Sequence, residues 1–349
     1  MDGLLIIDKP EGPTSHDVVA RIRRAFNESR VGHTGTLDPM ATGVLPIVLG
    51  RATRLARFLS SATKRYRATL RIGVATDTYD RLGEPVGAPA DVSGITADIV
   101  ERALTPFRGT FVQTPPVYSA KKLGGVASHR LARRGDAVTP AAVPVTVDRL
   151  TLVSVDADLI VLDVVSSAGF YVRSLAHDLG QALGCGAHLT ALRRTASGEL
   201  DEADSVPLEL CQQDPDAARA RVQPMRALLT WAPAAIIRDA ARARVPQGQA
   251  LRPEDVLSVD AGIRPLVERQ ADGREQTFVR ILDERGELLA LAAGNIADGN
   301  VTGGEAGAAS ADEAPDVAAR GMASGRSASG RLGAVAAVRG LLHPRIVLV

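Results

Sequence analysis

The order of hydrophobic patterns over the first two hundred residues constrains the fold most. Strand-like and helix-like segments alternate there without the even βαβ spacing of a doubly wound sheet, which predicts an α+β domain with a mixed, largely antiparallel sheet. Residues 4–7 read as a short buried strand, and Thr14 and Ser15 then cap a helix in which Val18, Val19, Ile22 and Phe26 recur at helical spacing. Residues 66–72 alternate as a half-buried strand should. Thr96 caps a short helix carrying Ile99, Val100 and Leu104, and Pro106 stops it. Residues 143–147 and 159–165 supply more strands, and 172–183 read as a helix with Gly184 beyond it.

At 349 residues the chain is about twice the size of one ordinary domain, so two are expected. Asp201, Glu202, Asp204, Asp214 and Asp216 form an acidic connection, placing the division between 1–210 and 211–349. In the second part, residues 278–282 and 288–293 read as strands joined by a hairpin turn at 284–287, and residues 344–349 as a closing strand. Between them the composition changes: 19 of residues 301–330 are Gly, Ala or Ser, and none is Ile, Leu, Phe, Tyr or Trp. Such a stretch buries too little apolar surface to offset the entropy of ordering it, so residues 296–335 are expected to be a flexible insertion.

Net charge is +1, which taken whole disfavours nucleic acid. By segment, residues 1–200 carry 24 Lys and Arg against 19 Asp and Glu, a net of +5, and the remainder carries −4. Arg51, Arg54, Arg57, Lys64, Arg65, Arg67 and Arg71 fall in a stretch without acid, and so do Lys121, Lys122, Arg130, Arg133 and Arg134. Acid-free basic runs are what a phosphate backbone requires. Only Cys185 and Cys211 occur, without metal-ligand spacing, so no metal site is expected and the compartment reads as reducing. With no secretory signal pattern at the N-terminus and no apolar run near 18 residues, the chain is expected in the cytoplasm and away from membranes.

The densest chemical signal is residues 32–47. Three glycines, two prolines and Asp38 within sixteen residues describe a rigid loop holding one carboxylate against apolar neighbours. This loop, with Leu4-Leu-Ile-Ile-Asp-Lys-Pro-Glu-Gly-Pro-Thr-Ser15, Lys64-Arg-Tyr-Arg67, Phe107-Arg-Gly109, Gln113-Thr-Pro-Pro-Val-Tyr-Ser-Ala-Lys121, Gly169-Phe-Tyr-Val-Arg-Ser-Leu175 and His188-Leu-Thr-Ala-Leu-Arg-Arg194, resembles the bacterial tRNA pseudouridine synthase B family. Seven stretches match in the family's order over most of residues 3–210. The sequence departs from the pattern at Phe170, where the family usually has Thr, at Ser166, where it often has Cys, and at His129, where it usually has Tyr.

The resemblance implies an isomerase that converts the T-loop uridine at tRNA position 55 to pseudouridine. Such a reaction needs no metal or redox cofactor, and its demand is a carboxylate facing the sugar or base. By its place in the motif that carboxylate is Asp38, attacking either the anomeric carbon or C6 of uracil. Its cationic partner is implied to be Arg173, since a guanidinium stays charged when desolvated and can hold a carboxylate with two bonds. Tyr66 is implied to stack on the flipped uracil and to help remove the C5 proton, Tyr171 to line the same pocket, His33 to fill space inside the RNA loop, and Leu192 to meet the uracil edge through its backbone.

On that reading Lys64, Arg65 and Arg67 surround Tyr66 where phosphates pass. Residues 118–144, with Lys121, Lys122 and Arg130, resemble a mobile loop that folds over RNA, and residues 211–349 resemble a small PUA-like RNA-binding β domain. The T-arm of tRNA is the expected partner, no protein partner is implied, and the chain is expected to act as a monomer. Two rivals stay open at this point: a noncatalytic RNA-binding or tRNA-folding protein, and a hydrolase that cleaves the glycosidic bond and releases the base.

Overall fold

The computed structural model describes residues 1–118, 122–123, 126–127, 140–270, 273–297, 300–302 and 341–349. Their contacts divide into two compact units, Met1–Met225 and Arg226–Val349. The first begins with β1 (Gly3–Lys9), α1 (Ser15–Ala25), β2 (Val31–His33), β3 (Thr42–Leu49), α2 (Ala56–Ser60) and β4 (Lys64–Ile72). The short β5 (Ala75–Thr76) and β6 (Pro85–Val86) precede α3 (Ala97–Leu104) and β7 (Gly109–Gln113). After β8 (Lys122–Leu123) and β9 (Val126–Ala127) come β10 (Val143–Asp156), β11 (Leu159–Ser166), α4 (Val172–Ala182) and β12 (Ala187–Ser197). The unit closes with β13 (Leu200–Asp201), β14 (Val206–Pro207), α5 (Leu208–Gln213), α6 (Pro215–Ala220) and β15 (Gln223–Pro224).

One mixed sheet organises this unit, in the order β14-β1-β3-β12-β4-β11-β10-β7, with β13 on β12, β15 on β1 and β2 on β3. Its pairs are antiparallel except β1 with β14 and β3 with β12. That is the α+β arrangement expected from the irregular spacing of helices and strands. The helices lie against one apolar face: Val18, Val19 and Ile22 of α1 and Val172, Leu175 and Leu179 of α4 share a core with Leu5, Leu45, Leu70, Leu162 and Leu189. Thr14 caps α1 as expected, its side chain accepting from the Asp17 N–H while the Asp17 carboxylate accepts from the Thr14 N–H.

The division falls later than residue 210. Leu208, Cys211 and Ala218 are buried in the core of the first unit and β15 pairs with β1, so an acidic surface stretch did not mark the end of its packing. The second unit holds β16 (Ala234–Ile237), β17 (Val256–Asp260), β18 (Leu266–Arg269), β19 (Glu275–Leu282), β20 (Leu288–Ala293), β21 (Asn295–Ala297), β22 (Asn300–Thr302) and β23 (His343–Val347). A sheet in the order β17-β16-β19-β20-β23, with β18 on β19, buries Ile237, Val279, Ile281 and Leu289. Asp283 fixes the turn between β19 and β20, its carboxylate accepting from the Arg285 and Glu287 N–H groups at 3.0 and 2.9 Å. Of the expected insertion at 296–335, β21 and β22 form the start as an antiparallel pair, while residues 298–299 and 303–335 lie outside the described residues. Among the described residues no helix is long and apolar enough to cross a membrane.

Candidate active site

The stretch 32–47 is strand at both ends, and only residues 34–41 remain a loop. The run Thr42–Leu49 is apolar enough to be a buried strand, although Pro46 argues against a central position. Pro46 is accommodated because β3 has two partners on one side: β12 pairs at Thr42 and Gly43, β2 pairs at Ile47 to Leu49, and Pro46 falls in the gap between them. Arg194 fills that gap, donating from Nε to the Val44 carbonyl at 2.7 Å and from Nη2 to the Gly35 carbonyl at 3.1 Å. Gly43 lies at φ +97°, and a Cβ there would sit 2.2 Å from the Arg194 carbonyl oxygen, so the close approach of β3 to β12 demands glycine.

Asp38 sits on this loop, which is tied down from several directions. The Ser15 hydroxyl accepts from the Leu37 N–H at 2.9 Å, and the Gly12 N–H donates to the Pro39 carbonyl at 2.9 Å. From the end of β1, Lys9 is fully buried and its ammonium donates to the carbonyls of Pro10, Pro39 and Ala41 at 2.9, 3.2 and 2.7 Å. Burial pushes Lys9 down to about 8, with the Asp38 charge opposing the shift. Replacing Lys9 by Met would leave those carbonyls without their donor at a cost of roughly 2–4 kcal/mol. Calorimetry should show the melting temperature falling by about 5–10 °C, and an unchanged value would mean the lysine does not hold the loop.

Arg173, in the first turn of α4, closes the site. Its Nε lies 2.8 Å from Asp38 Oδ2 and its Nη2 donates to Asp38 Oδ1 at 3.3 Å, a side-on pair between a guanidinium 6% exposed and a carboxylate 34% exposed. The rest of the fork is also engaged: Nη2 donates to the Tyr118 carbonyl at 2.9 Å, Nη1 to the Thr78 carbonyl at 3.1 Å, and Nη1 lies 3.6 Å from Asp80. The arginine is therefore locked in orientation while one flank of Asp38 stays open.

A cavity of about 260 Å³ opens on that flank, lined by Asp38, Tyr66, Phe170, Tyr171, Leu192 and Arg194 among others. It has room for a single ring system, not for a duplex. Gln113, itself buried, clamps the main chain of Tyr171 by accepting from its N–H at 2.9 Å and donating to its carbonyl at 3.1 Å. The structure thus gathers Asp38, Arg173, Tyr66, Tyr171 and Leu192 about one cavity. His33 does not line it; the ring is half-buried, packs edge-on against His16 at 5.3 Å, and burial holds its pKa below the usual imidazole value.

Strand alternation corrects the expected ring of cations around Tyr66. Along β4, Lys64, Tyr66, Ala68 and Leu70 share the inner face, and Arg65, Arg67 and Arg71 point the other way. Each outward arginine meets an acid, Arg65 with Asp201 at 2.7 Å, Arg67 with Asp163 at 2.8 Å and Arg71 with Asp158 at 2.7 Å. Lys64 points inward but is buried, donating to the carbonyls of Ser60 and Ala62, and burial pushes it down to about 8. Of Lys64, Arg65 and Arg67, none offers a free charge beside Tyr66. Lys121 and Arg130 lie outside the described residues, and of Lys122 only the backbone, in β8, is described.

Asp80 and Arg194 are among the site residues that the sequence did not single out. Asp80, 6% exposed, braces Arg173 from the side opposite Asp38 and is itself held by the Thr78 hydroxyl and the Leu82 N–H at 2.8 and 3.0 Å. Arg194, 1% exposed, lines the cavity together with Tyr66, and its burial lowers its pKa. Asp80 had a signal, since Thr76-Asp-Thr-Tyr-Asp80 is the first acid-bearing stretch after the basic run. Arg194 had none, because its hydrogen-bond partners are carbonyls.

The model described as TruB family pseudouridylate synthase (N terminal domain) matches residues 23–172, which places the chain in the class of pseudouridine synthases, and that described as tRNA pseudouridylate synthase B C-terminal domain matches residues 173–230. A tRNA pseudouridine synthase B of Solibacter usitatus is 48% identical over 255 residues, covering 71% of this chain and 85% of that protein. Another, of Cupriavidus metallidurans, is 40% identical over 293 residues, covering 83% and 90%. The chain belongs to the TruB family of tRNA pseudouridine synthases and is an isomerase of that kind. Among solved structures it is similar to a chain in an H/ACA RNP bound to a substrate RNA containing 2'-deoxyuridine, with a TM-score of 0.63 and 28% identity over 85% of this chain and 79% of that one. A chain of a Cbf5-Nop10-Gar1 complex is similar with a TM-score of 0.63 and 30% identity over 84% and 78%.

Proposed function

We propose that this protein isomerises uridine 55 in the T-loop of tRNA to pseudouridine, with Asp38 as nucleophile on a uridine flipped out of the T-arm. One observation carries the reading: a half-exposed carboxylate held side-on by a buried arginine at the edge of a small cavity walled by Tyr66 and Leu192. A folded loop must extrude its base to fill such a cavity, and an aromatic wall then stacks on the base. The reaction breaks the N1–C1′ bond, turns the uracil and joins C5 to C1′. The C5 hydrogen leaves and N1 gains a proton, so the RNA keeps its mass.

Each site residue has a part in this. Asp38 supplies the attacking oxygen, which bonds to C1′ or to C6 of uracil and is expelled again before the product leaves, and Arg173 keeps the carboxylate charged and aimed as the base closes over it. Tyr66 stacks on the uracil and assists removal of the C5 proton; Tyr171 and the Leu192 backbone border the base. His33 fills the space the flipped nucleotide vacates in the RNA loop. The second unit acts as a PUA-like RNA-binding domain, and the enzyme works in the cytoplasm as a monomer. The test of specificity is incubation with a tRNA transcript and with the same transcript carrying cytidine at 55. Pseudouridine should form only in the first, and its formation elsewhere in both would refute the assignment to position 55.

Lys121, Lys122 and Arg130, of the stretch 118–144, are proposed to contact the phosphates of the T-arm. Reversing charge at Lys121 and Lys122 should weaken tRNA binding and flatten the dependence of log K on log salt by about 0.7–0.9 for each phosphate no longer neutralised. Single-turnover rates at saturating tRNA should stay within about twofold of the parent's. An unchanged salt dependence would count against the loop.

A further inference from the structure

The segment between β5 and β6 braces Arg173 through the Thr78 carbonyl and the Asp80 carboxylate, and the residue between those two is strained. Tyr79 has φ +65°, a left-handed conformation that suits glycine and that bulky side chains rarely adopt. Its main chain is fixed, the N–H donating to the Thr76 carbonyl at 3.2 Å and the carbonyl accepting from the Leu189 N–H at 3.0 Å. The ring stacks on His177 with centroids 3.9 Å apart and planes 16° from parallel. His177 lies four residues beyond Arg173 on α4, hence on the same face one turn along. The same helix therefore grips this segment twice, through the Arg173 guanidinium and through the His177 ring.

We propose that Tyr79 and His177 are a positioning pair for the isomerisation: their stack holds the Thr78–Asp80 segment in place, so that Arg173 stays aimed at Asp38. The proposal rests on the reading of Asp38 and Arg173 as the reacting carboxylate and its partner. A glycine at 79 would accept the backbone conformation without strain, so the tyrosine must contribute through its ring. His177 Nδ1 is buried without a hydrogen-bond partner among the described residues, so stacking, not a polar contact, sets the ring's place. Burial holds His177 below the usual imidazole range and pushes Tyr79 above the usual phenol range, which favours two neutral rings in contact. Neither ring borders the cavity beside Asp38, so neither touches the base.

The test is steady-state and single-turnover pseudouridine formation by Tyr79→Gly, Tyr79→Phe, His177→Ala and His177→Phe, on whichever RNA the parent enzyme modifies. Tyr79→Gly and His177→Ala should lower kcat by about tenfold with KM within about twofold, since a misaimed guanidinium slows chemistry without altering RNA contacts. Tyr79→Phe and His177→Phe keep two stacked rings and should keep kcat. In an Arg173→Lys background, Tyr79→Gly should cost little more, because the two act on one element. Full kcat in Tyr79→Gly, a change confined to KM, or additivity with Arg173→Lys would overturn the proposal. Should the truncated variants fail to fold, a loss of kcat in either phenylalanine variant would overturn it equally, by assigning the role to the hydroxyl or the imidazole. Absence of pseudouridine with the parent enzyme would instead refute the function itself, and the two failures are separated in one assay.

Discussion

Asp38→Asn should form pseudouridine more slowly than the parent by a factor on the order of 10⁴ or more. The amide has nearly the carboxylate's shape and its oxygen can still accept from Arg173, so the loop held by Ser15, Gly12 and Lys9 should stay in place. What is lost is the negative charge and, on the proposed mechanism, the nucleophile. The same variant separates the catalytic reading from a pure binding protein. A carboxylate 34% exposed at the edge of the cavity would repel the phosphates of a bound RNA, so a protein selected only to bind would gain by losing it. The variant should bind tRNA at least as tightly as the parent, by filter binding, while turnover disappears. Weaker binding with residual turnover would mean that Asp38 contacts the RNA without attacking it.

Arg173→Lys should lower kcat by about 10²–10³-fold with little change in KM. Charge alone survives this substitution. The guanidinium spans both Asp38 oxygens and reaches the Thr78 and Tyr118 carbonyls, whereas one ammonium at the end of a flexible stem cannot serve all four. Two carbonyls lose their donor and Asp38 is free to swing, so a modest fall in melting temperature should accompany the rate loss. Turnover equal to the parent's would show that a positive charge near Asp38 suffices and that the side-on geometry has no role.

Much of this was legible in the sequence, and the misses have physical causes. The α1 cap at Thr14, the hairpin between β19 and β20 and the α4 boundaries follow from local chemistry that adjacent residues carry. Asp38, Arg173, Tyr66, Tyr171 and Leu192 come from four separate segments, and resemblance to a family assembled them where periodicity could not. Proximity in sequence misled at Lys64, Arg65 and Arg67, because a strand sends neighbours to opposite faces and distant acids neutralise the outer ones. Residues 42–47 read as part of a loop because of their glycine and proline, and only the offset of β2 and β12 along β3 explains how a proline fits in a strand there. Arg194, Gln113 and Tyr79 act through carbonyls and ring faces, contacts that leave no compositional trace.

The most direct measurement is the fate of an unmodified tRNA incubated with the purified protein, read by intact mass and by mapping of pseudouridine along the chain. An RNA of unchanged mass with pseudouridine at position 55 is expected, and no conversion by Asp38→Asn under the same conditions. Release of uracil with loss of mass, or an unmodified tRNA after prolonged incubation with active parent protein, would contradict the proposed isomerisation.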